Sequence, residues 1–331
     1  MSNISPEIIQ LLTGCRKALI LTHVRPDGDA LGSAFGLRQA LRDAGKCAET
    51  ALGTDVPGKY RKLCRDYLLE LAPEALADFD LIITLDSATP QRLALPEKLA
   101  LSDLEGRKIL HLDHHKHGSW ISGGTALVDT GASSTCELVT SVLEASGFAI
   151  TADCATALMT GLVTDTGSFR FSNADGDAFR CGAKLVDAGA RLEEIINMVY
   201  FSKSLEQMKF ENRLMQTALK FDCSDRLAYA NLTPELCRSG SFNPQEDEGL
   251  IDLLRELEPV VIAMFIRQEK DGFKISLRSK DSRYPVGPLA RKFGGGGHDL
   301  AAGATIAATD FAEAEQLMVS EIKLLLSTEA E

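Results

Sequence analysis

Aspartate and histidine residues follow the ends of predicted strands in the first half of the chain. His23, Asp27 and Asp29 lie close together in the segment His-Val-Arg-Pro-Asp-Gly-Asp. Later segments add Asp86, Asp113, His114, His115 and Asp165. Carboxylate and imidazole donors without thiolates are typical ligands of Mn²⁺, Mg²⁺ or Co²⁺ rather than of structural zinc. The residue types therefore indicate a divalent-metal site.

Taken singly, each of these residues has an ordinary structural interpretation. An aspartate after a strand is usually a helix cap or a turn residue. Brought together, however, the carboxylates would repel one another unless cations neutralise them. The number of candidate ligands suits two ions about 3.5–4 Å apart, which activate a water molecule and neutralise charge on a phosphoryl group under attack.

The elements that must position these residues alternate between strand and helix. Short apolar runs at 17–22, 80–85 and 108–112 predict strands. Residues 30–44 have helical spacing and end at Gly45, a typical C-terminal cap. This alternation predicts an α/β fold with a mostly parallel sheet and helices on both faces. Ligands of such sheets bind beyond the C-terminal ends of the strands.

The length of 331 residues is typical of two domains of about 100–200 residues each. We expect an α/β metal-binding domain at 1–190, a helical connector at 191–218 and a smaller α/β domain at 219–331. Within the last, Asp271-Gly272 separates two strand-like runs and predicts a hairpin.

Charge and composition limit the function classes. The net charge of −12 disfavours a protein that coats long duplex nucleic acid, because such binding needs many phosphate contacts. No apolar run reaches the ~20 residues of a membrane-spanning helix, and the N-terminus lacks a secretory pattern. The eight cysteines include no Cys-x-x-Cys pair, which argues against a zinc finger or disulfide scaffold and favours a reducing cytoplasm.

The order of these motifs resembles that of the DHH phosphoesterase superfamily. The matching segments are His23-x-x-x-Asp27-Gly-Asp29, Asp86, Asp113-His114-His115 and Thr164-Asp165-Thr166-Gly167. A glycine run, Gly294-Gly295-Gly296-Gly297-His298, is similar to the signature of a DHH-associated C-terminal domain. The resemblance spans most of the chain, and this motif order is highly specific. It implies a DHH domain followed by a substrate-binding domain, with the active site in the cleft between them.

The resemblance implies two Mn²⁺ ions, with Mg²⁺ or Co²⁺ as substitutes. The implied ligands are, for one ion, His23 and Asp27 and, for the other, Asp29, His114 and Asp165. Asp86 would bridge the two ions.

Two further residues of the third motif have implied catalytic roles. Asp113 would orient the neighbouring ligands, and His115 would face the scissile phosphate. Two histidines nearby, His111 and His117, are expected to be structural or exposed.

The second domain is implied to bind the substrate. Ser276 and Arg278 fit a Ser-x-Arg pattern that contacts substrate phosphate in related nucleases. The backbone N–H groups of the glycine run would cradle the nucleotide. The residues implied in this cradle are Gly295, Gly296, Gly297 and His298.

The implied activity is hydrolysis of short oligoribonucleotides to nucleoside 5′-monophosphates, and of pAp (3′-phosphoadenosine 5′-phosphate) to AMP and phosphate. Residues 267–292 hold eight basic and three acidic residues. Such a localised basic patch on an acidic protein suits substrates of about two to five nucleotides, since it cannot track a long backbone. A phosphodiesterase of cyclic or linear dinucleotides such as pGpG or pApA remains an alternative, and an inorganic pyrophosphatase is less favoured. A nucleotide-binding module without catalysis is the non-enzymatic alternative. Apolar-striped helices near the connector permit a homodimer.

Overall fold

The structure is a computed structural model that describes residues 4–116, 118–239 and 249–327. The chain divides into two compact units, Met1–Ser202 and Lys203–Glu331. Residues 191–218, interpreted above as a connector, contribute a helix to each unit.

Unit 1 contains a parallel five-stranded sheet in the order β2-β1-β3-β4-β5. The strands are β1 (Lys17–Leu21), β2 (Cys47–Ala51), β3 (Leu81–Leu85), β4 (Ile109–Asp113) and β5 (Thr125–Val128). The central strands β3 and β4 are buried along their whole length. Apolar runs of this kind are typical of strands covered on both faces. The predicted parallel α/β fold is confirmed.

The helices of unit 1 are α1 (Pro6–Gly14), α2 (Gly28–Asp43), α3 (Thr135–Ala145), α4 (Ala152–Asp165), α5 (Gly176–Asp187) and α6 (Leu192–Tyr200). Side chains of α2, α3 and α4 pack with Ile20, Ile83 and Leu110 in one core. The opposite face, with Leu19 and Ile82, is covered by short 3₁₀ turns between β2 and β4. Helices on both faces were therefore a wrong expectation, because repeated prolines interrupt helical periodicity in this connection.

Unit 2 contains a six-stranded sheet in the order β10-β11-β9-β8-β7-β6. The strands are β6 (Leu219–Asp222), β7 (Leu227–Leu232), β8 (Ile262–Glu269), β9 (Gly272–Ser279), β10 (Gly296–Gly297) and β11 (Ala301–Ile306). Only the β7–β8 pair is parallel among these neighbours. The predicted hairpin is confirmed, since β8 and β9 pair across Asp271-Gly272 and Gly272 has a φ of 141°.

The helices of unit 2 are α7 (Leu205–Thr217), α8 (Pro234–Ser239), α9 (Leu250–Arg255), α10 (Val286–Lys292) and α11 (Phe311–Ser327). One sheet face packs against α10 and α11. The other face packs against α7, α8 and α9 over β7 and β8. Alternate residues of β9 on this second face are half-buried, which leaves their polar groups accessible.

Among the described residues, no helix combines the length and apolar composition required to span a membrane.

Candidate metal centre

The ends of three neighbouring parallel strands bring the first, second and third sequence motifs to one edge of the sheet. His23 lies just beyond β1, Asp86 follows β3 directly, and Asp113 is the last residue of β4. Because the strands are parallel, their C-terminal ends share this edge. All three side chains are buried, so their charges interact strongly.

The Asp-Gly-Asp sequence forms the start of α2. Asp27 is the N-cap, and its Oδ1 accepts hydrogen bonds from the N–H groups of Asp29 and Ala30, both at 3.0 Å. A Cβ atom at Gly28 would lie 2.3 Å from Thr164 Oγ1. Glycine is therefore needed at this position for α2 to approach the end of α4, which carries Asp165.

The start of α3 holds the Asp29 carboxylate. Its Oδ2 accepts a hydrogen bond from the N–H of Thr135 at 2.7 Å, and its Oδ1 accepts one from the N–H of Cys136 at 2.9 Å. Unpaired N–H groups at a helix N-terminus favour a negative charge. The first turn of α3 thus fixes Asp29 inside the cluster.

One donor group comprises His23, Asp27 and Asp86. His23 Nε2 lies 3.9 Å from Asp27 Oδ1 and 3.6 Å from Asp86 Oδ2. Donor atoms of all three residues lie within 4.8 Å of one another. These separations exceed hydrogen-bond length and suit atoms arranged around one cation.

A second donor group comprises Asp29, Asp86 and His114. His114 Nε2 lies 3.9 Å from Asp29 Oδ2 and 3.7 Å from Asp86 Oδ1. Asp165 joins this group, since its Oδ2 lies 3.5 Å from the same nitrogen. Asp86 turns one carboxylate oxygen toward each histidine and is therefore shared between the two groups.

The buried carboxylates and histidines of this cluster shift one another's pKa. Burial, followed by the charges of Asp86 and Asp165, raises the pKa of Asp29 well above its usual range. Burial opposes protonation of His23, but the nearby carboxylates of Asp86 and Asp27 outweigh it and raise its pKa to about 8. The close approach of several buried carboxylates to two histidines fits a divalent-metal site.

Asp113 and His115 form a tight pair beside this cluster. Asp113 Oδ1 lies 2.7 Å from His115 Nδ1 and accepts the N–H of His114 at 2.9 Å. Burial opposes ionisation of Asp113, yet the nearby imidazole of His111 and the hydrogen-bonded imidazole of His115 outweigh it and lower its pKa. Asp113 is thus an ionised carboxylate that fixes the orientation of His115.

In unit 2, Ser276 and Arg278 lie on the same half-buried face of β9, with Lys274 two residues before Ser276. Ser276 pairs with Gly303 of β11, and Gly303 in turn pairs with Gly296. Glycines at these two neighbouring positions leave the sheet bare of side chains beside the polar residues of β9.

The glycine run has distinct roles along its length. A Cβ atom at Gly295 would lie 2.2 Å from Gly303 O, and one at Gly297, where φ is 123°, would lie 2.5 Å from Ala301 O. These glycines are required by close backbone approach. A Cβ at Gly296 would meet no atom within 4 Å among the described residues, so packing does not require glycine there. His298 follows in the turn before β11.

The structure adds residues that sequence reasoning missed. Thr135 donates its hydroxyl to Asp86 Oδ1 at 3.0 Å, and its place in the run Ser133-Ser134-Thr135 was the available signal. Lys274 lies on the Ser276 face of β9. His111, expected to be structural or exposed, is buried with its Nε2 3.5 Å from Asp113 Oδ2. His117 lies outside the described residues.

The donor set fits hard divalent cations, because the three candidate groups that contain Asp86 combine carboxylates with imidazoles. Cys136 lies near Asp29, but burial, reinforced by Asp29, raises the pKa of its thiol well above the usual range. It therefore remains a thiol rather than a thiolate ligand.

Comparison with known proteins agrees with the motifs. Residues 17–162 match the model of the DHH family, N-terminal domain, and residues 226–327 match the DHHA1 domain. The bifunctional oligoribonuclease and PAP phosphatase NrnA of Thermus thermophilus is 31% identical over 305 residues, which cover 92% of this chain and 88% of that protein. The protein of the same name from Bacillus subtilis is 27% identical over 93% of this chain and 95% of its own length.

A solved structure shows the same fold. The exopolyphosphatase-related protein from Bacteroides fragilis superposes with a TM-score of 0.86 at 24% identity, covering 99% of this chain and 100% of that one. This chain belongs to the DHH family, with a DHH N-terminal domain followed by a DHHA1 domain.

Proposed function

We propose that this chain is a metal-dependent phosphoesterase that hydrolyses short oligoribonucleotides to nucleoside 5′-monophosphates and pAp to AMP and phosphate. The observation that carries the proposal is Asp86, whose two carboxylate oxygens face His23 and His114 in separate donor groups. A shared carboxylate between two groups of hard donors is the arrangement of a two-metal phosphoryl-transfer site. The NrnA relatives, which act on oligoribonucleotides and PAP by name, support this substrate class.

We propose Mn²⁺ as the preferred cation, because the donors combine several carboxylates with imidazole nitrogens. His23 and Asp27 would hold one ion, while Asp29, His114 and Asp165 would hold the other. Bound at these groups, the ions would supply Lewis acidity that lowers the pKa of water and offsets phosphate charge.

The pair Asp113 and His115 would act on the substrate side. The Asp113 carboxylate, 2.7 Å from His115 Nδ1, favours a proton on that nitrogen. The ring is thereby oriented with Nε2 toward the substrate, where it would contact the scissile phosphate. Asp113 would therefore act like the carboxylate of a catalytic triad, which fixes the tautomer and orientation of its histidine.

The half-buried polar residues of β9 would hold a second part of the substrate. The Arg278 guanidinium would bind phosphate through paired N–H donors, and the Ser276 hydroxyl would donate alongside it. A Cβ at Gly303 would lie 3.4 Å from Lys274 Nζ. The Lys274 ammonium therefore lies over the part of the sheet where glycines provide no side chains. Cations at these few positions suit a substrate with few phosphates.

The test is a substrate panel. Metal-stripped protein with Mn²⁺ restored would receive a 5′-phosphorylated diribonucleotide, pAp, a cyclic dinucleotide and pyrophosphate in parallel, with products resolved by chromatography. We expect mononucleotides from the diribonucleotide and AMP from pAp. Turnover of the cyclic substrate or pyrophosphate alone would move the function to an alternative, and no turnover of any substrate would contradict an enzymatic function.

A further inference from the structure

His111 lies beneath the proposed catalytic pair rather than within it. It is 3% exposed, in the interior of β4, and its Nε2 lies 3.5 Å from Asp113 Oδ2. The other oxygen of the same carboxylate, Oδ1, lies 2.7 Å from His115 Nδ1. His111 and His115 therefore contact opposite oxygens of one buried carboxylate.

The ring of His111 is fixed by two contacts of its own. Its Nδ1 lies 2.8 Å from Oγ1 of Thr84, the residue that pairs with His111 across β3 and β4. Trp120 stacks on it, with ring centroids 6.4 Å apart and an interplanar angle of 23°. When the Thr84 hydroxyl donates to Nδ1, the ring proton is on Nε2 and points toward Asp113.

The same loop that carries Trp120 also braces Asp113. Ser119 donates its N–H to Ala88 O at 2.8 Å, and Ala88 donates its own N–H to Asp113 Oδ2 at 2.9 Å. A Cβ at Gly118 would lie 2.1 Å from Ala88 O, so the approach of the two loops requires glycine. Oδ2 of Asp113 is thereby held between a backbone donor and His111.

We propose that His111 is a positioning residue for the phosphoesterase reaction. Its Nε2–H, 3.5 Å from Oδ2, attracts the carboxylate and so holds Asp113 in the rotamer in which Oδ1 accepts from His115. Without this donor, a buried oxygen keeps a single backbone partner, and the carboxylate gains freedom to turn away from His115. This inference rests on the proposed function, because it assigns His115 to the substrate.

The test compares two substitutions at one site. His111→Leu removes the donor, and His111→Gln retains an N–H donor at the position of Nε2. For His111→Leu we expect kcat to fall about 10- to 100-fold, as for other residues that orient catalytic groups, with KM within about twofold. His111→Gln should recover most of the lost kcat. Equal kcat for wild type and His111→Leu, or equal losses in both variants, would overturn the proposal.

A double-mutant cycle tests the path through Thr84. Thr84→Val removes the hydroxyl that fixes the ring at nearly constant volume, so we expect a smaller fall in kcat. In the His111→Leu background Thr84→Val should cause no further fall in kcat, because Thr84 acts only through His111. Fully additive losses of kcat would show that Thr84 does not act through His111. Thr50→Val is the matched control, since its hydroxyl is buried in β2 without a hydrogen-bond partner among the described residues.

Two measurements on metal-stripped protein separate positioning from folding and from activity. Trp120 is the single tryptophan of the chain, so its emission reports whether the loop over residue 111 is intact. ¹⁵N-histidine labelling of the six histidines reports the His115 Nδ1–H, which should be protected in wild type and His111→Gln and lost in His111→Leu. If this proton is protected in wild type and in both His111 variants, the positioning role is overturned, whether or not wild type is active. If it is lost in His111→Leu but wild type cleaves none of the substrates, only the proposed function is contradicted. If His111→Leu fails to fold, the test uses the other two variants: near-wild-type kcat in His111→Gln with a reduced kcat in Thr84→Val supports the proposal, and wild-type kcat in Thr84→Val contradicts it.

Discussion

Replacing Asp86 by asparagine keeps the shape of the side chain and removes the charge shared by both donor groups. The variant should lose activity by roughly 10²- to 10⁴-fold, because a two-metal clamp supplies several kcal/mol of transition-state stabilisation and each 1.36 kcal/mol is tenfold in rate. Steady-state hydrolysis of the diribonucleotide measures this loss. Retention of a tenth of wild-type turnover would refute the shared role of Asp86.

The same substitution separates metal binding from folding. Burial opposes ionisation of Asp86, but contacts with His23, His115 and His114 outweigh it and lower its pKa. Asp86→Asn loses these favourable contacts and should lower the metal-free Tm, so the metal-induced rise is measured from each variant's own metal-free Tm. In wild type, free Mn²⁺ at 100 times its Kd stabilises the folded state by ~2.7 kcal/mol. For a unit of about 200 residues this raises the Tm by roughly 5–11 °C. The variant should lose most of that rise in a thermal scan.

Asp78→Asn is the matched control. Asp78 precedes β3 at its opposite end, with its side chain 69% exposed and Oδ2 3.7 Å from Lys17 Nζ. An exposed ion pair of this kind contributes at most about 1 kcal/mol, so activity should stay within about twofold of wild type. A metal-induced rise in Tm that is the same in Asp86→Asn and Asp78→Asn would refute the reasoning.

Three further predictions follow from the described contacts. The pKa of His23 is raised to about 8, so its protonated form stabilises the metal-free fold below pH ~6.5, and this stabilisation is lost as pH rises through about 8. Because the proton competes with the cation, the Mn²⁺ affinity measured by calorimetry should rise from pH 6.5 to 8.5. An affinity that does not change with pH would contradict this. Arg278→Ala should raise KM about 10- to 100-fold with kcat unchanged, as expected for a lost charged hydrogen bond, whereas exposed Arg283→Ala should change neither, and equal effects in steady-state kinetics would remove Arg278 from substrate binding. Gly161→Ala would place a Cβ 2.6 Å from Asp29 Oδ1. The substitution should weaken Mn²⁺ binding and destabilise the fold by about 1–3 kcal/mol. An unchanged Mn²⁺ affinity in calorimetry would show that metal binding tolerates displacement of Asp29.

The sequence predicted those parts of the fold that depend on local pattern. Apolar runs gave the strands β1, β3 and β4, because strands buried on both faces need continuous apolar sequence. Most metal-ligand candidates followed from their places after these strands, since parallel strands share one C-terminal edge. Asp165, at the end of α4, and the grouping of the ligands around Asp86 were implied by the family resemblance and not by local pattern.

Other features depend on which strands are neighbours. The contact between His111 and Thr84 joins residues on adjacent strands 27 positions apart, and nothing local in either segment marks the pairing. Lys274 was missed for a similar reason, because the glycine beneath its ammonium belongs to β11. The irregular cover over the second face of the unit 1 sheet has no periodicity from which a structure could be predicted.

The most direct test of the central claim is kcat/KM against chain length. Metal-stripped protein with Mn²⁺ restored would be given 5′-phosphorylated oligoribonucleotides from two nucleotides to about twenty, with pAp as a parallel substrate. We expect the highest values for the shortest substrates and a steep fall beyond about five nucleotides, because a localised set of cations cannot track a long backbone. Efficient digestion of the longest strand, or cleavage that persists without metal, would contradict the account.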